Sequence, residues 1–205
     1  MNTIEVWYEF GSNYSYLSVN RMGALALSKG VAIKWEPFLL GPVFKSLGWE
    51  TSPFVLQEQK GRYVWKDMER QCAKYGLAWN RPSTFPRRAL LPMRVAVLGK
   101  DQMWIEAFSK RMMELNFVED VDIDSVEVVS QVLKDLGVDA ASTIEKAQSD
   151  DNKQKLKAQT ERALSLGVFG GPTFFVNGEM FWGNDRLDDA LEYAARGSAS
   201  QLVNS

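Results

Sequence analysis

Strand-like segments lie near the two ends of the chain, and helical periodicity fills the middle. Residues Thr3 to Phe10 alternate in the manner of a strand, and Val31 to Phe38 form a second strand-like run. Between them an amphipathic spacing begins near Tyr16 and stops at Gly30, which predicts a helix. Two strands joined through one helix predict a parallel βαβ unit with a right-handed crossover.

The segment from Leu166 to Leu187 predicts a hairpin and the start of a final helix. Thr173 to Val176 is β-branched and aromatic, Asn177-Gly178 is a two-residue hairpin turn, and Glu179 to Trp182 forms the returning strand. The hairpin is entered through Gly170-Gly171-Pro172, where a proline at the first strand position removes no interior ladder bond.

Between Leu39 and Gly167 the spacing predicts helices and no strand. The predicted helices are Val43–Leu47, Leu56–Tyr75, Arg88–Gly99, Met103–Leu115, Val121–Leu136, Asp139–Gln148 and Asn152–Leu166. The order β-α-β, helices, β-β-α predicts an α/β thioredoxin-like fold, with a four-stranded mixed sheet. We expect one domain over residues 1–205, with an inserted all-α subdomain over approximately residues 39–165.

The amino-acid composition excludes several kinds of partner and of catalytic chemistry. The net charge of −2, without a basic block, argues against a nucleic-acid partner. No apolar run approaches the ~18 residues of a membrane span, and the first residues lack a leader pattern, so we expect a cytoplasmic protein. A single cysteine, Cys72, excludes an intramolecular disulfide and is expected to be a packing residue. The absence of histidine excludes histidine-based catalysis, and no metal site is predicted.

A serine pair occupies the position at which thioredoxin-like units carry their reactive group. This position follows the first strand and opens the first helix, where the helix field and free N–H groups stabilise a thiolate. Here it reads Ser12-Asn13-Tyr14-Ser15, which excludes disulfide exchange and favours an external thiol with the Ser12 hydroxyl as donor. The alternative is that Ser12 or Ser15 only caps the helix, and the two roles can fall to different serines.

Two further positions are candidates for ligand binding. Pro172 stands where thioredoxin-like folds hold a cis-proline that faces the active helix, and Gly171 would present its backbone to an extended peptide. The alternative is a trans proline that begins a strand. Asn184, Asp185 and Arg186 open the last helix, which favours a ligand with a carboxylate and an ammonium group, and a plain cap with a solvated arginine is the alternative.

Two stretches resemble a known family. Residues 8–16, Y-E-F-G-S-N-Y-S-Y, and 167–187, G-V-F-G-G-P-T-F-F-V-N-G-E-M-F-W-G-N-D-R-L, look like the 2-hydroxychromene-2-carboxylate isomerases and kappa-class glutathione transferases, which are related to periplasmic disulfide oxidoreductases. The resemblance implies a soluble homodimer that uses glutathione. It implies that Ser12 interacts with the glutathione sulfur, that Gly171 and Pro172 pair with the glutathione backbone, and that Asn184, Asp185 and Arg186 hold the γ-glutamyl end.

The chain departs from the family pattern at several positions. It has Ser12-Asn13 where the family usually has Ser-Pro, and Gly171 where valine is usual. The lysine that the isomerases carry after the second strand corresponds to Phe44 with Lys45 beside it, and the family loop around Arg87 more often has asparagine where Arg88 stands. The candidates for contact with a small aromatic carboxylate or electrophile are therefore Phe44, Lys45, Arg87 and Arg88, with Trp35, Trp49, Trp79 and Trp182 as candidates for a substrate wall.

The resemblance implies an enzyme of aromatic catabolism, an isomerase of the 2-hydroxychromene-2-carboxylate type with glutathione as its cofactor. Two alternatives stay open. The first is a kappa-class-like glutathione transferase that conjugates electrophiles. The second is a non-catalytic thioredoxin-fold protein that holds an extended peptide at the Pro172 edge, which an S-x-x-S segment also permits.

Overall fold

A computed structural model describes the backbone of residues 2–202 and the side chains of residues 2–196. The strands are β1 (Thr3–Tyr8), β2 (Ala32–Pro37), β3 (Thr173–Val176) and β4 (Glu179–Trp182). The helices are α1 (Asn13–Ser28), α2 (Leu40–Ser46), α3 (Pro53–Leu56), α4 (Glu58–Tyr75), α5 (Leu90–Gly99), α6 (Ile105–Phe117), α7 (Val126–Asp135), α8 (Ala140–Gln148), α9 (Asp150–Ser165) and α10 (Leu187–Leu202). A 3₁₀ turn, Asn184–Arg186, leads into α10.

The four strands form one mixed sheet in the order β2-β1-β3-β4. β1 runs parallel to β2, with Val6 opposite Trp35, and antiparallel to β3, with Val6 opposite Phe174. β3 and β4 form the hairpin predicted around Asn177-Gly178, and both turn residues have positive φ, at 52° and 86°. The predicted thioredoxin-like sheet is therefore confirmed.

Strand alternation sends the β1 side chains to opposite faces of the sheet. Val6 and Tyr8 join the large core that contains apolar residues of α1, α6 and α10. Trp7 points the other way, into a smaller cluster with Phe38 and Phe175. The edges of both rings contact the indole, with centroids 6.0 and 6.4 Å away. Both faces of the sheet are thus covered by apolar side chains.

Helices α2 to α9 all lie between β2 and β3 in chain order. All of them except α3 were predicted, while a division into a domain and an inserted subdomain stays a prediction. α1 begins at Asn13, earlier than the Tyr16 start, because Ser12 caps it and draws polar residues into its first turn. The predicted Val121–Leu136 helix instead begins at Val126, where Ser125 supplies the cap.

The predicted helix Leu56–Tyr75 corresponds to α4, which begins two residues later, and the short helix α3 before it was not predicted. Ser52 caps Pro53 at the start of α3 by accepting from the Phe54 N–H at 3.3 Å, and Gln57 then leaves helical geometry. A Cβ on Gly61 would lie 2.3 Å from the Phe54 carbonyl oxygen, so only glycine permits the close approach of the two helices. In the described part of the chain, no helix is long and apolar enough to cross a membrane.

Candidate active site

Ser12 is the N-cap of α1. Its φ and ψ are −85° and 113°, and its Oγ accepts a hydrogen bond from the Ser15 N–H at 3.2 Å. The first helical bond follows, from the Tyr16 N–H to the Ser12 carbonyl at 3.2 Å. The capping interpretation is therefore confirmed for Ser12, and Ser15 contributes only its backbone to the cap. A donor role toward a sulfur atom stays a prediction.

The same hydroxyl links α1 to the proline loop. Ser12 Oγ donates to the Gly171 carbonyl at 3.0 Å, and the Gly171-Pro172 peptide bond is cis, as predicted. A hydroxyl has one hydrogen to donate, so a bound acceptor must compete with the Gly171 carbonyl for it. The Pro172 carbonyl in turn accepts from the Gly183 N–H at 3.0 Å, which ties this loop to the end of β4.

A cavity of about 550 Å³ opens beside this pair. Its volume falls within the range of small-molecule sites. The walls come from five parts of the chain: the β1–α1 turn, α2 with the following loop, the start of α4, the loop before α5, and the proline loop with the end of β4. The aromatic and proline lining residues are Tyr14, Phe44, Trp49, Pro53, Phe54, Tyr63, Phe85, Pro86, Phe169, Pro172 and Trp182.

Glu9 is the acidic group nearest to Ser12 along the chain, and the sequence reasoning missed it. It lines the cavity and carries no cationic partner among the described residues. Burial raises the pKa of its carboxyl to about 7, although a hydrogen bond from the Gly11 backbone opposes the shift. A signal was present in the sequence, since the carboxylate directly precedes the break before S-x-x-S.

Polar atoms without a partner concentrate in the S-x-x-S segment. Within the described residues, the buried side-chain nitrogen and oxygen atoms that lack a hydrogen bond are Asn13 Nδ2, Ser15 Oγ and Asn152 Oδ1. Two of these three belong to the first turn of α1. Buried polar groups are nearly always paired in folded proteins, so this turn is built with bonding capacity that the protein alone does not use.

Tyr14 borders the cavity but is engaged with α4. Its hydroxyl donates to Asp67 Oδ2 at 2.7 Å. Burial, followed by this hydrogen bond, raises the pKa of Tyr14 above its ordinary value, so the phenol stays protonated at neutral pH. Its ring meets Phe54 edge to face at 6.0 Å between centroids, which helps to fix the aromatic wall.

The candidates on the substrate side are separated by the structure. Phe44 lines the cavity and packs against Trp49, with 6.0 Å between ring centroids, whereas Lys45 is exposed and does not belong to the lining. Trp49 and Trp182 line the cavity as predicted. Trp35 and Trp79 do not, because both pack against the main core.

Arg87 and Arg88 both border the cavity but differ in what they bind. Arg87 is nearly buried, its Nε donates to Asn116 Oδ1 at 2.9 Å, and its Nη2 pairs with Asp120. Its guanidinium therefore holds the loop against α6. The Arg88 side chain is 75% exposed and pairs with Asp124 at 2.8 Å, so its guanidinium is within reach of solvent and ligands. Exposed Lys60 lines the same cavity and was not predicted.

The Asn184–Arg186 turn follows Gly183, which lines the cavity, but none of the three turn residues belongs to the lining. Asn184 is buried, and its Oδ1 accepts from Ser18 Oγ and from Arg21 Nη1, each at 3.1 Å, so it anchors the turn to α1. Asp185 and Arg186 are exposed and pair with each other at 3.2 Å. The turn thus presents a solvent-accessible carboxylate, while Asn184 serves the packing of α1.

A second depression, of about 680 Å³, lies along α3 and α4. Exposed ion pairs occupy its wall, namely Glu58 with Arg62 and Lys66 with Glu69. None of the S-x-x-S residues reaches it. Cys72 lies elsewhere on α4; it is buried, and burial raises the pKa of its thiol to about 11, which confirms the predicted packing role.

The fold and the site together define the class of protein. Residues 3–195 match the family described as DSBA-like thioredoxin domain, and the chain belongs to this family. Its reactive position carries serine where disulfide oxidoreductases carry cysteine.

Similar proteins within this class are 2-hydroxychromene-2-carboxylate isomerases and a kappa-class glutathione transferase. The chain is 28% identical over 192 residues to a 2-hydroxychromene-2-carboxylate isomerase of Sphingobium xenophagum, covering 93% of this chain and 97% of that one. It is 24% identical to glutathione S-transferase kappa 1 of Caenorhabditis elegans, over 90% of this chain and 87% of that protein. A solved structure of a 2-hydroxychromene-2-carboxylate isomerase superposes with a TM-score of 0.87 at 23% identity, over 99% of each chain. The recognised resemblance is thereby confirmed.

Proposed function

We propose that this protein is a glutathione-dependent isomerase of the 2-hydroxychromene-2-carboxylate type. One observation carries the proposal: a serine at the N-terminus of α1 bonds to the carbonyl before a cis-proline, at the wall of an aromatic-lined cavity. The names of the relatives supply the reaction class. The chain lacks the histidine and the second cysteine that other thiol-handling sites use.

The turn around Ser12 suits a thiol ligand. Asn13 Nδ2 and Ser15 Oγ have no partner, the helix N-terminus favours negative charge, and the cavity has room for a tripeptide thiol together with part of a small aromatic molecule. When bound, glutathione would supply a thiolate that adds reversibly to a conjugated carbon of an aromatic 2-oxo acid and so allows rotation about the former double bond.

Ser12, Gly171 and Asp185 would then each bind a different part of the tripeptide. Ser12 turns its hydroxyl hydrogen from the Gly171 carbonyl toward the sulfur, where it stabilises the anion. The freed Gly171 carbonyl accepts a backbone N–H of the tripeptide in the manner of an added strand. Asp185, exposed beside Gly183, is the acceptor for the ammonium group at the γ-glutamyl end, with Arg186 next to it.

The outer cavity would hold the aromatic substrate. Phe44, Trp49 and Trp182 offer ring faces and edges to an aromatic group. Arg88 and Lys60 bring positive charge to the same cavity and suit the carboxylate of an aromatic acid. Lys45 lies outside the lining, so we assign the carboxylate contact to these two side chains instead.

A kappa-class-like transferase is the second candidate. It is favoured by the similarity to the nematode kappa enzyme over 90% of the chain. The same thiolate site would serve the isomerase and the transferase reactions. In the isomerase the glutathione sulfur leaves the product, whereas in the transferase it stays bonded to the product. A cytoplasmic homodimer belongs to the proposal as well, and analytical ultracentrifugation of the purified protein tests the dimer.

The proposal is tested by following hydroxychromene carboxylate spectrophotometrically with and without glutathione. We expect isomerisation that requires catalytic amounts of glutathione and leaves its concentration unchanged. Consumption of glutathione with an electrophile, without isomerisation, would support the transferase. Calorimetry adds a binding test, since we expect saturable glutathione binding that Asp185→Ala weakens. Absence of any glutathione binding would contradict both enzyme functions and favour a peptide-binding protein.

A further inference from the structure

Glu9 is held in the same tight turn as Ser12. The Ser12 N–H donates to the Glu9 carbonyl at 3.0 Å, which closes the turn between β1 and α1. The carboxylate folds back over Gly11, where an added Cβ would lie 3.2 Å from Glu9 Oε2 and 3.5 Å from Oε1. Glu9 and Ser12 are both lining residues of the cavity, three positions apart on the same turn.

Among the described residues this carboxylate has no counter-ion, although Lys60, Arg87 and Arg88 line the same cavity. The titratable or charged side chains that share the wall with Glu9 are Tyr14, Glu50, Lys60, Tyr63, Arg87 and Arg88. Arg87 is committed to Asn116 and Asp120, and Arg88 pairs with Asp124. In the described part of the chain, no cation lies within ion-pairing distance of Glu9. Burial is therefore the main cause of its raised pKa.

We propose that Glu9 is the proton acceptor of the site and takes the proton of the bound glutathione thiol. The inference deepens the proposed function and depends on it. In this step an O–H bond forms on the Glu9 carboxylate while the thiol S–H bond breaks, and the electron pair stays on sulfur. When the thiol re-forms, the proton returns along the same route, so Glu9 is regenerated and no other reactant is needed.

The other groups near Ser12 are unsuited to this task. The chain contains no histidine. The Ser12 hydroxyl is a hydrogen-bond donor to the anion and a poor base at neutral pH. The Tyr14 hydroxyl already donates its hydrogen to Asp67. A carboxylate whose pKa has been raised to about 7 by burial matches the working pH of a general base.

Proton counting by calorimetry tests the assignment on the wild-type protein. Glutathione is titrated at pH 7.5 in two buffers with different heats of ionisation, and thiolate formation is followed separately by ultraviolet absorbance. A thiolate beside Glu9 raises the pKa of this carboxyl further, because like charges disfavour ionisation, so Glu9 keeps the proton that it takes. With the pKa of Glu9 at about 7 before binding and that of the free thiol near 8.5, thiolate then appears while only about 0.2 proton per site reaches the buffer. Release of about one proton with full thiolate formation would overturn the assignment.

Glu9→Gln provides the comparison, because glutamine keeps the shape and cannot accept the proton. This variant is expected either to release about one proton per thiolate formed or to form at least tenfold less thiolate. Glu50→Gln, which removes an exposed carboxylate from the rim of the same cavity, is expected to keep the wild-type proton count. A Glu9→Gln protein that matches wild type in both readouts would refute the proposal.

A spectroscopic readout separates this inference from the proposed function. Infrared difference spectra of wild type should show a protonated carboxylic acid band on glutathione binding, and Glu9→Gln should lack that band. Saturable binding with thiolate but without the band rejects the role of Glu9 alone. If wild type shows no binding of glutathione at all, the proposed function fails, and the role of Glu9 fails with it.

Discussion

Glu9 and Glu36 lie at the carboxyl ends of two neighbouring parallel strands, yet their carboxylates meet opposite surroundings. Glu36 is fully buried. Its carboxylate forms ion pairs with Lys34 at 3.0 Å, Lys100 at 2.8 Å and Arg162 at 3.1 Å, and it accepts a hydrogen bond from Gln159. Burial opposes its ionisation, but the hydrogen bonds from Lys100, Lys34 and Gln159 outweigh burial and lower its pKa to about 2. Glu9 has no cationic partner among the described residues, and its burial raises its pKa to about 7.

The comparison separates a structural carboxylate from a chemical one. At Glu36 the bonding capacity is used up inside the protein, which joins β2 to α5 and α9 and leaves nothing for a ligand. The Glu9 carboxylate accepts a bond from the Gly11 backbone but has no cation among the described residues, and the first turn of α1 that follows contains the unpartnered Asn13 Nδ2 and Ser15 Oγ. A strand end with unsatisfied polar groups is therefore the better indicator of the site than burial of charge alone.

The largest effect is expected from removing the paired carboxylate. Glu36→Ala leaves three cationic side chains without their shared partner, so we expect the free energy of unfolding to fall by about 3–5 kcal/mol. Chemical denaturation at pH 7 measures the loss. Glu5→Gln, which weakens the same network from a more exposed position, should cost less; an equal cost would contradict the distinct role of Glu36.

The unpaired carboxylate should behave in the opposite sense. Between about pH 4.5 and 7 folded Glu9 holds a proton that the unfolded chain has lost, so the stability of wild type decreases as pH rises through this interval. Glu9→Gln removes this penalty, so its free energy of unfolding at pH 8 is expected to exceed that of wild type by about 3 kcal/mol, with no difference near pH 4. Denaturation at the two pH values measures it, and a variant less stable than wild type at pH 8 would contradict the raised pKa.

Ser12→Ala sharpens the comparison at the neighbouring residue. Loss of the hydroxyl should raise the pKa of the bound glutathione thiol by more than one unit, about 1.4 kcal/mol or more. Ultraviolet titration of the bound thiol measures this shift. The variant also loses a helix cap, worth about 1 kcal/mol of stability, so thermal unfolding is recorded beside it. An unchanged thiol titration would remove Ser12 from the chemistry.

Ser15→Ala is the matched control and the smallest effect. The Ser15 hydroxyl is buried without a partner, so its removal is expected to leave stability unchanged or to raise it by up to about 1 kcal/mol. Because the N-cap uses only the Ser15 backbone, α1 should be unaffected. A loss of more than about 1 kcal/mol by denaturation would show that the hydroxyl has a partner.

The fold was predictable because its strands and helices follow simple periodicities. The hairpin at Asn177-Gly178 and the cis-proline at Pro172 both follow from local residue types and element order. The short helix α3 was missed because Ser52-Pro53 indicates a break in the chain and none of the α3 residues is buried, so no apolar spacing marks it.

The candidate site could be predicted in part. Ser12 and Gly171, which the structure brings together at the cavity, were candidates because they belong to recognisable turns. Glu9 was missed because it continues the alternation of β1, whereas in space it lies beyond the strand and over Gly11. The commitment of Arg87 to Asn116 and Asp120 was also invisible, since these partners lie 29 and 33 residues along the chain and meet it only through the packing of α6.

The central claim is that the turn containing Ser12 converts a bound external thiol into a thiolate near neutral pH. The most direct measurement is the pH titration of glutathione bound to the wild-type protein, followed by thiolate absorbance at saturating protein. We predict a thiol pKa at least one unit below the free value near 8.5. A bound thiol that titrates as it does in free solution would contradict this claim.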